Sequence, residues 1–98
     1  MFSHVVIWWT HPEIPNAPDE LIAGAEKYLR PISLAKQFNV GKMVPSDRPV
    51  VDQSYQVAMH VEFSDKQDQD EYQMHPMHLE FVEKYSRLWS RVVVYDFE

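Results

Sequence analysis

The amino-acid sequence predicts an α+β fold of the ferredoxin-like kind, a four-stranded antiparallel sheet with helices on one face. Apolar residues recur at strand or helix period in the order β-α-β-β-α-α-β along the 98 residues. Right-handed crossovers between such elements place the first and third strands centrally and the helices on a single face. We expect residues 1–98 to form one domain.

The first strand is predicted from Ser3 to Thr10, where β-branched and aromatic residues predominate. Alternation gives it two faces, with His4, Val6 and Trp8 on one and Val5, Ile7 and Trp9 on the other. Because helices cover only one face of such a sheet, the second set should form an exposed apolar patch. A two-fold homodimer that packs the two open sheet faces together is the expected solution.

The first helix is predicted to begin at Pro18 and to end near Arg30. Proline suits the first helical turn, with Asn16 or Ala17 at the cap. Pro31 disfavours helical geometry at the residue before it. Apolar residues recur at helical spacing between these limits.

Two further strands are predicted on either side of a long loop. Ala35 to Met43 alternates polar and apolar residues, which is typical of an edge strand. Val44 to Gln53 is rich in proline, serine and aspartate and is expected to be a loop. Tyr55 to Phe63 alternates again. One face of this strand holds Tyr55, Val57, Met59, Val61 and Phe63.

Two helices and a strand complete the chain. A polar helix from Asp65 to Met74 is expected to be capped by Ser64. Pro76 begins another helix, and Arg91 to Phe97, with three consecutive valines, is a strand. The apolar stripe predicted for the last helix consists of His78, Phe81, Val82, Tyr85 and Trp89.

Charge and composition argue against several classes of function. A formal charge of −6 disfavours contact with nucleic-acid phosphate or anionic lipid, so neither nucleic acid nor membrane is an expected partner. The chain has no cysteine, which excludes a thiolate site and is compatible with the predicted cytoplasmic location. No secretory signal is visible, and no apolar run approaches the length of a membrane span.

Three segments of the chain match a known family pattern. They are the opening Ser3-His4-Val5-Val6-Ile7, the strand segment Phe38-Asn39-Val40-Gly41, and Tyr72-Gln73-Met74-His75-Pro76-Met77-His78, which fits Tyr-x-x-His-Pro-x-His. The end of the chain, Val92 to Phe97, also fits. The chain therefore resembles the stress-responsive A/B barrel family, or Dabb (dimeric α+β barrel) proteins. The resemblance implies a homodimer whose sheets close a barrel, with a pocket between sheet and helices in each subunit.

The best understood members of this family include a plant olivetolic acid cyclase, which closes a linear polyketide by an aldol reaction. The resemblance implies that His78 is the catalytic histidine, Tyr72 its assisting tyrosine and His4 a pocket histidine. A further pocket histidine of that enzyme falls at Val57 here. His60 is nearby but on the opposite sheet face, which argues against the same substrate.

An aldol reaction needs a base to remove a proton next to a carbonyl and a donor to stabilise the oxyanion. A neutral imidazole can be the base near neutral pH, and a phenol can be the donor. We therefore predict His78 as base and Tyr72 as donor, without a cofactor, acting on a small hydrophobic or aromatic ligand. The predicted pocket wall consists of His4, Val6, Trp8, Val57, Met59, Phe81, Val82, Tyr85 and Trp89.

Structural roles for the same residues are the alternative. His78 and Tyr72 would then be packed and hydrogen-bonded, and the protein would be a non-catalytic ligand-binding or stress-linked dimeric module. A metal site of His75, His78 and His4 is another possibility, but the proline after His75 indicates a bend, so no metal is predicted. His75 is expected to be a cap or hinge. His11 is expected in a solvated loop, and His60 at the dimer interface or in solvent.

Overall fold

The computed structural model describes all 98 residues and contains the predicted elements in the predicted order. They are β1 (Phe2–Thr10), α1 (Ala17–Tyr28), β2 (Gln37–Lys42), β3 (Val57–Phe63), α2 (Lys66–Met74), α3 (Pro76–Tyr85), a 3-10 turn (Ser86–Leu88) and β4 (Trp89–Phe97). The four strands form one antiparallel sheet in the order β2-β3-β1-β4. The central positions of β1 and β3 confirm the ferredoxin-like prediction. No helix has the length and apolar character needed to cross a membrane.

The core lies between the helices and the inner face of the two central strands. Pairing of Val6 with Met59 and of Trp8 with Val57 places these side chains on the same side of the sheet. All four are buried, together with residues of α1 such as Leu21. Strand alternation therefore predicts the inner face of β1 and β3 correctly.

The outer face of β1 and β4 is mainly apolar and is uncovered in the single chain. Ile7 of β1 is only half-buried there, and it pairs with Val93 of β4. Tyr95 and Phe97, which share this face, are 61% and 59% exposed. The predicted apolar patch is therefore present, and β4 extends it.

Two details of the last helices differ from the prediction. Asp65, not Ser64, caps α2, because its carboxylate accepts a 2.9 Å hydrogen bond from the Asp68 amide. Trp89 does not continue the stripe of α3. The helix ends at Tyr85, the chain tightens into the 3-10 turn, and Trp89 becomes the first residue of β4, paired with Thr10.

Helices α1 and α3 are in close contact at Gly24. A Cβ atom at this position would lie 2.6 Å from the ring of Tyr85. The same ring lies 5.9 Å from that of Tyr28 and stacks on Phe81 at 5.4 Å, measured between ring centroids. Tyr85 therefore holds the two helices together.

Replacing Gly24 with alanine is expected to lower the free energy of unfolding by about 1–3 kcal/mol, because the new methyl group overlaps the Tyr85 ring. The expected sign opposes helix propensity, which favours alanine over glycine by about 1 kcal/mol. Urea denaturation measures the effect. In a Tyr85→Leu background the same substitution should lose most of its cost, and a stabilising Gly24→Ala in the wild-type background would contradict this packing.

Candidate active site

An open cavity of about 480 Å³ lies between the inner face of β1 and β4 and helices α2 and α3. Its lining includes His78 and seven residues of the predicted pocket wall, namely His4, Val6, Trp8, Met59, Phe81, Val82 and Trp89. The volume falls in the range of small-molecule sites. Nine of the cavity's 16 lining residues are hydrophobic.

The cavity exists because the helices do not cover β4. Val92 and Val94 pair with Trp8 and Val6, which directs them to the inner face, yet they are 42% and 46% exposed. They line the cavity beside α3. The loop from residue 44 to 53 contributes nothing to this lining.

His4 forms a short hydrogen bond with Asp96 inside this cavity. The two residues pair across β1 and β4, and Nδ1 of His4 lies 2.6 Å from Oδ1 of Asp96. His4 is almost completely buried, whereas the Asp96 side chain is partly exposed. Asp96 is not among the predicted site residues. The sequence does place Asp96 on the same strand face as Val92 and Val94, where a carboxylate in an otherwise apolar strand is unusual.

Tyr72 and His78 are neighbours, but only His78 lines the cavity. Their ring centroids lie 5.0 Å apart in an edge-on arrangement. Tyr72 is 0% exposed, packed against Phe63 and His4 as well. Its hydroxyl has no hydrogen-bond partner in the protein, and neither has Nδ1 of His78. Buried polar atoms without partners are rare, and a catalytic role is one explanation for them. Nε1 of Trp8 and Nε2 of His60 are also buried without partners.

Burial keeps both side chains uncharged at neutral pH. It raises the pKa of Tyr72 well above its usual value of 10. Burial, together with the nearby His4 and His75, lowers the pKa of His78 from 6.5 to about 4. Tyr72 is thus a hydroxyl donor, and His78 is a neutral imidazole.

His75 is the joint between α2 and α3. It ends one helix and begins the next in extended geometry, as a residue before proline prefers. Its Nδ1 accepts a 3.1 Å hydrogen bond from the Met77 amide. This confirms the predicted cap. No three histidine, aspartate or glutamate side chains lie together in a way that could hold a metal ion.

Replacing His75 with alanine is expected to cost about 1 kcal/mol of unfolding free energy, since the Met77 amide loses its acceptor. His75→Asn, which keeps an acceptor at the cap, should retain most of the stability. Thermal unfolding of both variants tests this, and equal losses would contradict the cap.

Two predicted pocket residues do not reach the cavity. Val57 is completely buried in the core opposite Trp8, and Tyr85 packs on Gly24 between helices. His60 lies on the outer sheet face. His11 is half-buried in a loop, 3.1 Å from Glu13.

Four polar residues of α2 line the cavity and were not selected from the sequence, namely Lys66, Gln69, Asp70 and Gln73. Gln69 is buried and donates a 2.9 Å hydrogen bond to Gln73. Lys66 and Asp70 form an exposed ion pair at 3.0 Å. Periodicity did not identify these residues, because a polar helix face is usually solvated.

Several proteins of known structure share this fold. The Arabidopsis thaliana protein At3g17210 is 27% identical, with a TM-score of 0.81, and the match covers 100% of this chain and 94% of that one. A dimeric ferredoxin-like protein from Thermobifida fusca is 18% identical, with a TM-score of 0.78 and coverage of 98% and 88%. A hydroxynitrile lyase from Passiflora edulis is 18% identical, with a TM-score of 0.78 and coverage of 98% and 90%.

A search of curated proteins found no significant match. A family model does match, and it spans residues 2–98, nearly the whole chain. The protein belongs to the stress responsive A/B barrel domain family, Dabb.

Proposed function

We propose that the protein is a cofactor-independent enzyme that performs acid–base chemistry on a small hydrophobic or aromatic carbonyl compound. A polyketide-cyclase-like or isomerase-like reaction fits best, with His78 as base and Tyr72 as donor. One observation carries the proposal: a mainly apolar cavity contains His78, and the Tyr72 ring lies against that imidazole.

The chemistry divides between the two side chains. His78 is neutral at pH 7 and can therefore accept a proton from the carbon next to a carbonyl. Tyr72 keeps its proton because burial raises its pKa, and its hydroxyl has no partner in the protein to compete with a ligand. Tyr72 does not line the cavity, so its hydroxyl would contact a ligand only after a side-chain movement, for example of the neighbouring His78 ring.

Turnover of two probes tests the proposal. Poly-β-ketoacyl thioesters report ring closure, and mandelonitrile is chosen because one structural relative is a hydroxynitrile lyase. His78→Ala should lower the rate about a hundredfold or more, the usual contribution of a general base. Tyr72→Phe should also lower it, and the loop variant His11→Ala should not. Unchanged turnover in both His78→Ala and Tyr72→Phe would refute the assigned roles.

A non-catalytic ligand-binding module is the second candidate. It is favoured by the complete burial of Tyr72, whose hydroxyl is sealed from the cavity. In that case His78→Ala would lower the melting temperature, and no probe would be turned over by the wild-type protein.

We also propose that two copies associate through the outer sheet face. The exposed side chains of Tyr95 and Phe97, next to Ile7 and Val93, provide the apolar surface. The Thermobifida fusca relative is described as dimeric. Sedimentation at micromolar concentration should give twice the chain mass of 11.6 kDa, and a monomeric mass would refute the association.

A further inference from the structure

A hydrogen bond between one ring nitrogen and Asp96 fixes the orientation of the His4 imidazole. Its Nδ1 lies 2.6 Å from the Asp96 carboxylate. Because a carboxylate can only accept, Nδ1 carries the hydrogen, and in the neutral imidazole Nε2 therefore carries the lone pair. The same arrangement orients histidines in many catalytic and metal sites.

The free nitrogen of His4 is accessible from the cavity. Nε2 has no hydrogen-bond partner in the protein, and it is not among the polar atoms that the fold seals off, which include Nδ1 of His78 and the Tyr72 hydroxyl. His4 and His78 both line the cavity. A molecule in the cavity can therefore reach the His4 side chain, whose Nε2 carries a lone pair when the imidazole is neutral.

We infer that His4, oriented by Asp96, is a second proton acceptor of the cavity and removes a proton from a bound carbon acid without the help of His78. The inference deepens the proposed acid–base function and rests on it for its biological use. Asp96 acts as a positioning residue in this scheme, because it contacts the imidazole and not the reacting carbon.

The surroundings of His4 favour this role. Tyr72 from α2 and His78 from α3 face it as neutral groups, and Phe63 from β3 packs against its ring. The Asp96 carboxylate is the charged group in contact with the imidazole. A proton taken up by His4 would form an ion pair with Asp96, whereas a proton on His78 would be isolated in a partly desolvated site.

Elimination of 5-nitrobenzisoxazole measures proton abstraction without knowledge of the natural substrate. A base removes the proton on C3, the C–H electron pair forms the nitrile, and the N–O bond breaks. That bond's electrons stay on oxygen, which gives a coloured cyanophenolate. We expect His4→Gln to lower the rate at pH 7 about tenfold or more, and His78→Gln to retain a His4-dependent rate. His11→Gln should match the wild type, and a wild-type rate no higher than that of His4→Gln would overturn the inference.

The role of Asp96 has a separate spectroscopic readout. In ¹⁵N NMR spectra of the wild-type protein at neutral pH, His4 should be found as the Nδ1–H tautomer. Asp96→Ala should lose this preference and slow the elimination, whereas Asp47→Ala, in the exposed loop, should change neither. An Nε2–H tautomer in the wild type would overturn the inference whether or not the His4 variant folds. Failure of the carbonyl probes alone would refute the proposed function and leave both of these readouts unaffected.

Discussion

Replacing Tyr72 with alanine is expected to lower the free energy of unfolding by about 3–5 kcal/mol, whereas Tyr72→Phe is expected to raise it by about 1 kcal/mol. Tyr72 is among the largest fully buried side chains. Its ring packs edge-on against Phe63 at 4.9 Å and His78 at 5.0 Å, measured between centroids. Alanine would leave a cavity among these aromatic rings.

The gain expected from phenylalanine comes from the hydroxyl alone. That group is buried without a partner, and such a group costs about 1–3 kcal/mol, which phenylalanine avoids while keeping the ring. Urea denaturation of the two variants separates packing from polarity. A variant that is more stable but less active would indicate that the hydroxyl is present for function. A loss of more than about 1 kcal/mol in Tyr72→Phe would contradict the unpartnered hydroxyl.

The second large expected effect is a loss of stability as the pH falls from 6.5 to about 4, caused by the lowered pKa of His78. Above the ordinary pKa of 6.5 this histidine is neutral in both states and contributes nothing. Below pH 6.5, His78 becomes protonated in the unfolded chain, whereas in the native protein it stays neutral until the pH reaches about 4. The unfolded state therefore gains stability as the pH falls, and the protein loses about 1–3 kcal/mol over this window, allowing for partial exposure of the ring.

His78→Gln should reduce this loss, because glutamine does not titrate. Urea denaturation at intervals from pH 7 to 4 measures it, with His11→Gln as the matched histidine control. Two carboxylates with lowered pKa values, Glu26 and Asp52, lose their favourable contacts only near or below their ordinary values of 4.5 and 3.8. The range from pH 6.5 to 5 therefore excludes these two carboxylates, and the difference between wild type and His78→Gln isolates His78 from the other histidines. Identical slopes in the two proteins would contradict its desolvation.

Local patterns predict the fold well, because β2 and β3 alternate and β1 and β4 are rich in β-branched and aromatic residues. The inner face of β1, from His4 to Trp8, and the outer patch around Ile7 both follow from a period of two. The cap at His75 follows from the proline after it. These features depend on neighbours in sequence, which is why they are visible without a structure.

The features of the site that were not predicted depend on residues far apart in the sequence. Asp96 meets His4 across 92 positions, through the β1–β4 register. Val57 has the correct alternation, but helix packing above that part of the inner face decides that it is core and not cavity wall. The Tyr85 ring packs against Gly24 of α1 and not into the cavity, and this contact depends on how the two helices pack. Periodicity assigns a residue to a face, and packing then decides what covers that face.

The three tryptophans allow the most direct test of the central claim, that the cavity binds small aromatic carbonyl compounds. Trp8 and Trp89 line the cavity, whereas Trp9 points to the outer face, with its indole N–H donating to Ser54 at 3.1 Å. In an NMR titration with 4-hydroxybenzaldehyde, the indole signals of Trp8 and Trp89 should shift in a saturable manner while that of Trp9 stays in place. No saturable shift of Trp8 and Trp89, or a shift confined to Trp9, would contradict the claim.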